Sequence, residues 1–122
     1  MLVGVDIIDI ERMEQAVKRT PRILERVFTR EELEYCLARN NPYPSLAVRF
    51  AAREALRKLD VVFTNGIGFH DVEVVLDTYG KPFLFLHHRA REKAEQAGIT
   101  DLAVSLSHSK TQAIAVVIGK KG

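Results

Sequence analysis

The chain has 122 residues, 47% hydrophobic and 28% charged, the size and balance of one globular domain, which excludes a disordered tail and a multidomain enzyme. Its net charge of +2 is too small by itself to mark a nucleic-acid binder, but it conceals an uneven distribution: −3 over residues 1–11, +5 over 12–58 and zero over 59–122. An acidic start beside a basic stretch is the pattern of a cation site next to an anion site, although charged residues usually form only a solvated face. Cys36 stands alone, so no intrachain disulfide and no cysteine-based zinc cluster can form, and the cytoplasm is the expected compartment. Asp6 interrupts the first apolar run before a signal-peptide core could form, and no apolar stretch approaches the ~20 residues of a membrane span.

Leu2 to Val5 read as a short buried strand that ends where the acidic residues begin. Asp9 is placed to cap a helix on which Ile10, Met13 and Val17 recur at helical spacing. Pro21 breaks it, and a short helical piece follows through Ile23, Leu24 and Val27. Thr29 and Glu32 have the spacing of a capping box, opening a helix to about Arg39, and residues 40–44 form a loop. Residues 45–60 give the strongest helix, with Ser45 as its expected N-cap, Leu46, Phe50, Leu56 and Leu59 as apolar surface, and the Asn65–Gly68 turn as its stop. Residues 71–77 and 83–86 form a hairpin across an Asp77–Pro82 turn. Residues 87–98 form a helix closed by Gly98, and two further strands flank Ser109–Thr111. Helices first and hairpins later predict an α+β domain with an antiparallel sheet, not repeated βαβ units.

Three constellations could carry chemistry. Asp6, Asp9 and Glu11 follow an apolar strand, where a carboxylate must be paired, capped or coordinating. Helix capping accounts better for Asp9 and Glu11; for Asp6 the structural and the ligand readings balance. Glu54 and Lys58 share one helix face at i and i+4, the spacing of an ordinary surface ion pair, but they continue a stripe begun by Ala47 and Ala51, as though something packs closely there. Arg49, Arg53 and Arg57 line another face. His108 stands in a turn rich in Ser and Thr, suited to phosphate or proton transfer, although a loop histidine bonded to backbone is commoner. The histidines form no metal box, and Gly66–Gly68 lacks the pattern of a phosphate loop.

GVDIIDIERM, TREEL, RFAAREALRKL, GKP and VSLSHSKTQAIAVVI, in this order and spacing over nearly the whole chain, resemble the short, stand-alone class of 4′-phosphopantetheinyl transferases, the holo-[acyl-carrier-protein] synthases. The resemblance implies transfer of the phosphopantetheine arm of coenzyme A to a serine of apo acyl carrier protein, releasing adenosine 3′,5′-bisphosphate. It implies Mg²⁺ held by Asp6 and Glu54, in keeping with a cation that takes one or two carboxylates and completes its octahedron with waters and phosphates. It implies Lys58 as the stabiliser of the phosphate or leaving group, and Glu54, directly or through a water, as the general base. It assigns the coenzyme to His108 and to the turn at Gly80, Lys81 and Pro82, and carrier-protein docking to Arg12, Met13, Arg22 and Ile23.

Acyl carrier proteins are acidic, so the basic residues Arg12, Lys18, Arg19, Arg22, Arg26 and Arg30 would steer them. The family's usual Lys before the Glu is Arg53 here; a planar fork is not a point charge, so Arg53 is expected to serve a protein partner or a subunit contact. The class also implies a homotrimer with coenzyme sites at subunit boundaries, and no nucleic-acid or membrane partner. Two other readings compete: an RNA-binding α+β module using the basic helix, which lacks the aromatic signature of such modules, and a Mg²⁺ phosphohydrolase using Asp6 and Asp9.

Overall fold

The computed structural model describes residues 1–122. Strand β1 (Leu2–Asp9) leads into helices α1 (Ile10–Arg19), α2 (Ile23–Val27), α3 (Arg30–Leu37) and α4 (Tyr43–Leu59). The hairpin β2 (Val72–Leu76) and β3 (Pro82–Leu86) follows, then α5 (His88–Ala97), β4 (Ile99–His108) and β5 (Gln112–Lys121). The predicted α+β class holds, but the antiparallel strands divide into two sheets: a three-stranded one in the order β1-β5-β4, and the hairpin by itself. The hairpin packs beside β4 without joining its ladder.

Helix α4 is the centre of the molecule. Its small residues Ala47, Ala51, Ala52 and Ala55 are fully buried, and they let the inner face of the three-stranded sheet lie close along it. Gly4 is the tightest point: a Cβ there would stand 2.0 Å from the Ala55 carbonyl oxygen, so only glycine lets the strand approach. The close packing read from the small-residue stripe is therefore the packing of β1 and β5. One part of the core, around Leu56, Phe63, Val104 and Val117, joins α4 to the sheet, the hairpin and α5. Another, around Met13, Phe28, Cys36 and Leu46, joins α1 to α3 onto the first half of α4.

Several local expectations hold for their expected reasons. Thr29 and Glu32 form a reciprocal capping box, and Gly98 closes α5 at φ 70°. Others need correction. β1 does not end at Val5 but runs to Asp9, so Asp6 lies inside the strand opposite Ala115. Asp9 occupies the N-cap position of α1 without a side-chain cap bond; its carboxylate instead accepts from the Gln112 side chain at 3.4 Å. Ser45 is not the N-cap of α4. The helix starts at Tyr43, whose amide is met by Asn41 Oδ1 at 3.2 Å, and Pro44 is accommodated because first-turn amides have no intrahelical partner. The Asn65–Gly68 turn is not what stops α4, which ends at Leu59, where the Asp60 carboxylate caps the next short turn by accepting from the Val62 amide.

Candidate functional site

Alternation along β1 sends Gly4, Asp6 and Ile8 toward α4 and Val3, Val5 and Ile7 outward. Gly4 lies against Ala55 and Leu59, and Ile8, further along β1, lines the same cleft as Phe50, which is earlier on α4, so β1 runs antiparallel to α4 and Asp6 falls between these levels, in the stretch of α4 that carries Glu54. There the Lys58 ammonium donates to Asp6 Oδ1 at 2.7 Å. Asp6 is only 12% exposed, and its second oxygen, Oδ2, is buried with no hydrogen-bond donor. Glu54, one turn before Lys58, has as its ionic contact only Arg57 Nε at 3.8 Å.

A buried carboxylate oxygen without a proton donor calls for a cation. Asp6 and Glu54 together offer the hard oxygen ligands that suit Mg²⁺, which keeps several waters and does not need a full protein cage. No group of three or more His, Cys, Asp or Glu side chains gathers anywhere to form such a cage. The residues present fit a two-carboxylate magnesium site.

A cleft of about 530 Å³ lies between β1, α1, α2 and α4, next along β1 from Asp6, lined by Ile8, Met13, Ile23, Phe50 and Phe69, with Arg12 and Arg26 among its lining residues. Three of the four residues assigned to docking, Arg12, Met13 and Ile23, line it. Arg22 stands outside, at the exposed start of α2, and Arg26 takes the cleft position. The helical offset of three from Ile23 to Arg26 was the available signal.

His108 and the Gly80–Pro82 turn do not join this cluster within the chain. Asp6 and His108 lie on opposite edge strands of the sheet, on the order of 12 Å apart by strand spacing and register. His108 is exposed, with Nδ1 donating to the Ser109 carbonyl at 3.1 Å. The hairpin turn is held by Asp77, whose carboxylate accepts from the Tyr79 and Lys81 amides, with Gly80 at φ 80°.

Arg53 is corrected outright. It is 3% exposed and grips Glu32 with both terminal nitrogens, while its Nε donates to the Phe69 carbonyl at 3.0 Å. Glu32 also accepts from the Thr29 and Val74 amides. Arg53 therefore faces the interior of its own subunit and is available to neither a partner nor a phosphate. Sequence reasoning assigned no role to Arg49, which is 4% exposed, lies over the Tyr35 ring beside Arg39, and has an unpartnered buried Nε. Its spacing from Arg53 placed it on the helix, but nothing in the sequence marked it as lacking a carboxylate.

A family model described as the 4′-phosphopantetheinyl transferase superfamily matches residues 2–117. The chain is 45% identical over 115 residues to the holo-[acyl-carrier-protein] synthase of Moorella thermoacetica, covering 94% of this chain and 90% of that protein. Its fold is similar to the crystal structure of holo-[acyl-carrier-protein] synthase from Neisseria meningitidis, with a TM-score of 0.87, 29% identity and coverage of 99% and 100% of the two chains. It is likewise similar to the Helicobacter pylori holo-[acyl-carrier-protein] synthase in complex with coenzyme A, with a TM-score of 0.80, 29% identity and coverage of 98% and 100%.

Proposed function

The chain belongs to the 4′-phosphopantetheinyl transferase superfamily, and from that premise we propose how it transfers the 4′-phosphopantetheine arm of coenzyme A to a serine of apo acyl carrier protein. The observation that carries the reading is Asp6: a nearly buried carboxylate with one oxygen on Lys58 and the other without a donor, on the strand whose next residues, Ile7 to Asp9, line the cleft.

Asp6 and Glu54 would hold Mg²⁺, which when bound neutralises charge on the coenzyme diphosphate. Lys58, on a flexible stem, reaches the phosphate and offsets negative charge as the adenosine 3′,5′-bisphosphate departs. Glu54, incompletely paired, accepts the serine proton directly or through a water. Arg12 and Arg26 flank the apolar floor around Met13 and Ile23, a combination that orients an acidic carrier helix and excludes water beneath it. His108 and the Gly80–Pro82 turn contact the nucleotide half of the coenzyme.

We further propose a homotrimer. The outer face of the three-stranded sheet presents Val3, Val5, Ile7 and Ile118, 38–61% exposed, a contiguous apolar surface of the kind that oligomers cover. Association there would carry the two separated groups of coenzyme residues to subunit boundaries. No helix is long and apolar enough to cross a membrane.

Intact-mass analysis of apo acyl carrier protein, incubated with this protein, coenzyme A and Mg²⁺, tests the reading. The carrier gains the mass of one 4′-phosphopantetheine, and Asp6→Ala or Glu54→Ala abolishes the gain. Undiminished turnover in both variants would overturn the metal assignment.

A further inference from the structure

Resting on the magnesium-site reading of Asp6, we propose that Lys58 is an internal counter-ion that competes with the divalent cation for Asp6 in the free enzyme and releases it when coenzyme A binds. Two differences between the partners carry this. Asp6 is fixed, because it lies inside β1, paired in the ladder with Ala115, and is 12% exposed. Lys58 is not: its side chain is 55% exposed and its only hydrogen bond is the one to Asp6 at 2.7 Å. A dication drawn to the free Oδ2 meets the Lys58 ammonium across the same carboxylate, and like charges a few ångströms apart repel.

Lys58 can leave without disturbing the fold, since its side chain is exposed and four rotatable bonds carry its charge away from Asp6. A diphosphate offers it more negative charge than one carboxylate does. The move frees Oδ1 and removes the repulsion, so cation and coenzyme strengthen each other's binding through one residue. Such coupling is reciprocal: the coenzyme tightens the cation by the same factor as the cation tightens the coenzyme. Glu54 does not resist the arrangement, because its contact with Arg57 is long at 3.8 Å and half-exposed.

The test is Mn²⁺ binding, followed by the electron paramagnetic resonance signal of free Mn²⁺, on the folded protein with and without coenzyme A. Lys58→Met and Lys58→Gln bind Mn²⁺ alone about tenfold tighter than wild type, and added coenzyme A then tightens it less than in wild type. Lys120→Met, which removes an exposed cation on β5 outside the site, leaves Mn²⁺ affinity at the wild-type value. The proposal is overturned if the Lys58 variants bind Mn²⁺ no tighter than wild type, or if Lys120→Met tightens it equally. Asp6→Asn separates this failure from failure of the site itself: Mn²⁺ binding that survives Asp6→Asn in the presence of coenzyme A removes the metal site, whereas its loss there with unchanged Lys58 variants removes only the counter-ion role.

Discussion

On α4, Arg53 is 3% exposed and grips Glu32 with two parallel bonds, whereas Lys58 is 55% exposed and reaches Asp6 with one. Every polar side-chain atom of the first pair has a hydrogen-bond partner. Glu32 accepts from two backbone amides, and Arg53 also donates to the Phe69 and Arg49 carbonyls, tying α3, α4, β2 and the Phe69 turn together. The second pair leaves a buried oxygen unserved and its cation free to move. A saturated pair is a structural joint, because any rearrangement strands a charge in the interior. An unsaturated one has an oxygen left for a ligand.

Breaking each pair separates the two roles. Glu32→Gln leaves the Arg53 charge buried without a counter-ion and costs about 4 kcal/mol, a fall of roughly 15 °C in Tm by calorimetry. Asp6→Asn costs little stability, within about 1 kcal/mol, since its partner is solvated. It lowers the rate of carrier modification about 10³-fold, the loss expected when several kcal/mol of charge stabilisation is removed. A Glu32→Gln protein that melts like wild type, or an Asp6→Asn protein that keeps its rate, would erase the contrast.

Gly4→Ala attacks the geometry on which only the second pair depends. The new methyl would overlap the Ala55 carbonyl, so β1 must retreat from α4, at a cost of about 3 kcal/mol. Asp6 moves with the strand while Arg53–Glu32 stays. At a temperature where the variant is still folded, its Mg²⁺ requirement in the transfer assay rises, and its affinity for the carrier changes less. An unchanged Mg²⁺ dependence would show that the strand position does not set the site.

What was legible in the sequence followed from short-range rules. The Thr29–Glu32 box and the Gly98 cap are local, and both were readable because their partners lie within four residues. The Arg53–Glu32 joint spans 21 residues, and Glu32 was already accounted for as a capping residue; one side chain serving both roles leaves no second signal. The strand limit failed for a related reason. Gly4, Asp6 and Ile8 alternate as a strand should, but a carboxylate on the inward side reads as the end of a strand unless a Lys 52 residues away meets it. The roles proposed for Asp6, Glu54 and Lys58 came from the order of motifs along the chain, and the structure adds the contact between the first and the last.

Arg12→Glu sharpens the comparison at the cleft. It reverses one charge facing an acidic partner without touching either ion pair, so Tm is unchanged and the KM for apo carrier protein rises about tenfold at low salt. The KM for coenzyme A stays at its wild-type value, and the defect shrinks as ionic strength rises. Equal loss for both substrates would place Arg12 in the coenzyme site instead.

The smallest effect concerns a third pair, Lys121 with Asp60, at the far end of α4. The Val62 amide holds the Asp60 carboxyl below its ordinary value, and the Lys121 ammonium adds to it. Because the folded state favours the ionised form, this contribution is present above the unfolded pKa of about 3.9 and is lost as the pH falls through the lower folded value. Lys121→Met removes one of the two causes and leaves the Val62 bond, so Asp60 shifts part of the way back. The variant should melt slightly below wild type at pH 6, and the gap should close as the pH falls through the folded value of Asp60, below which the carboxyl is protonated in both proteins. A gap that held constant across that range would mean that Lys121 acts through packing of its stem and not through charge, which would make this pair unlike either of the other two.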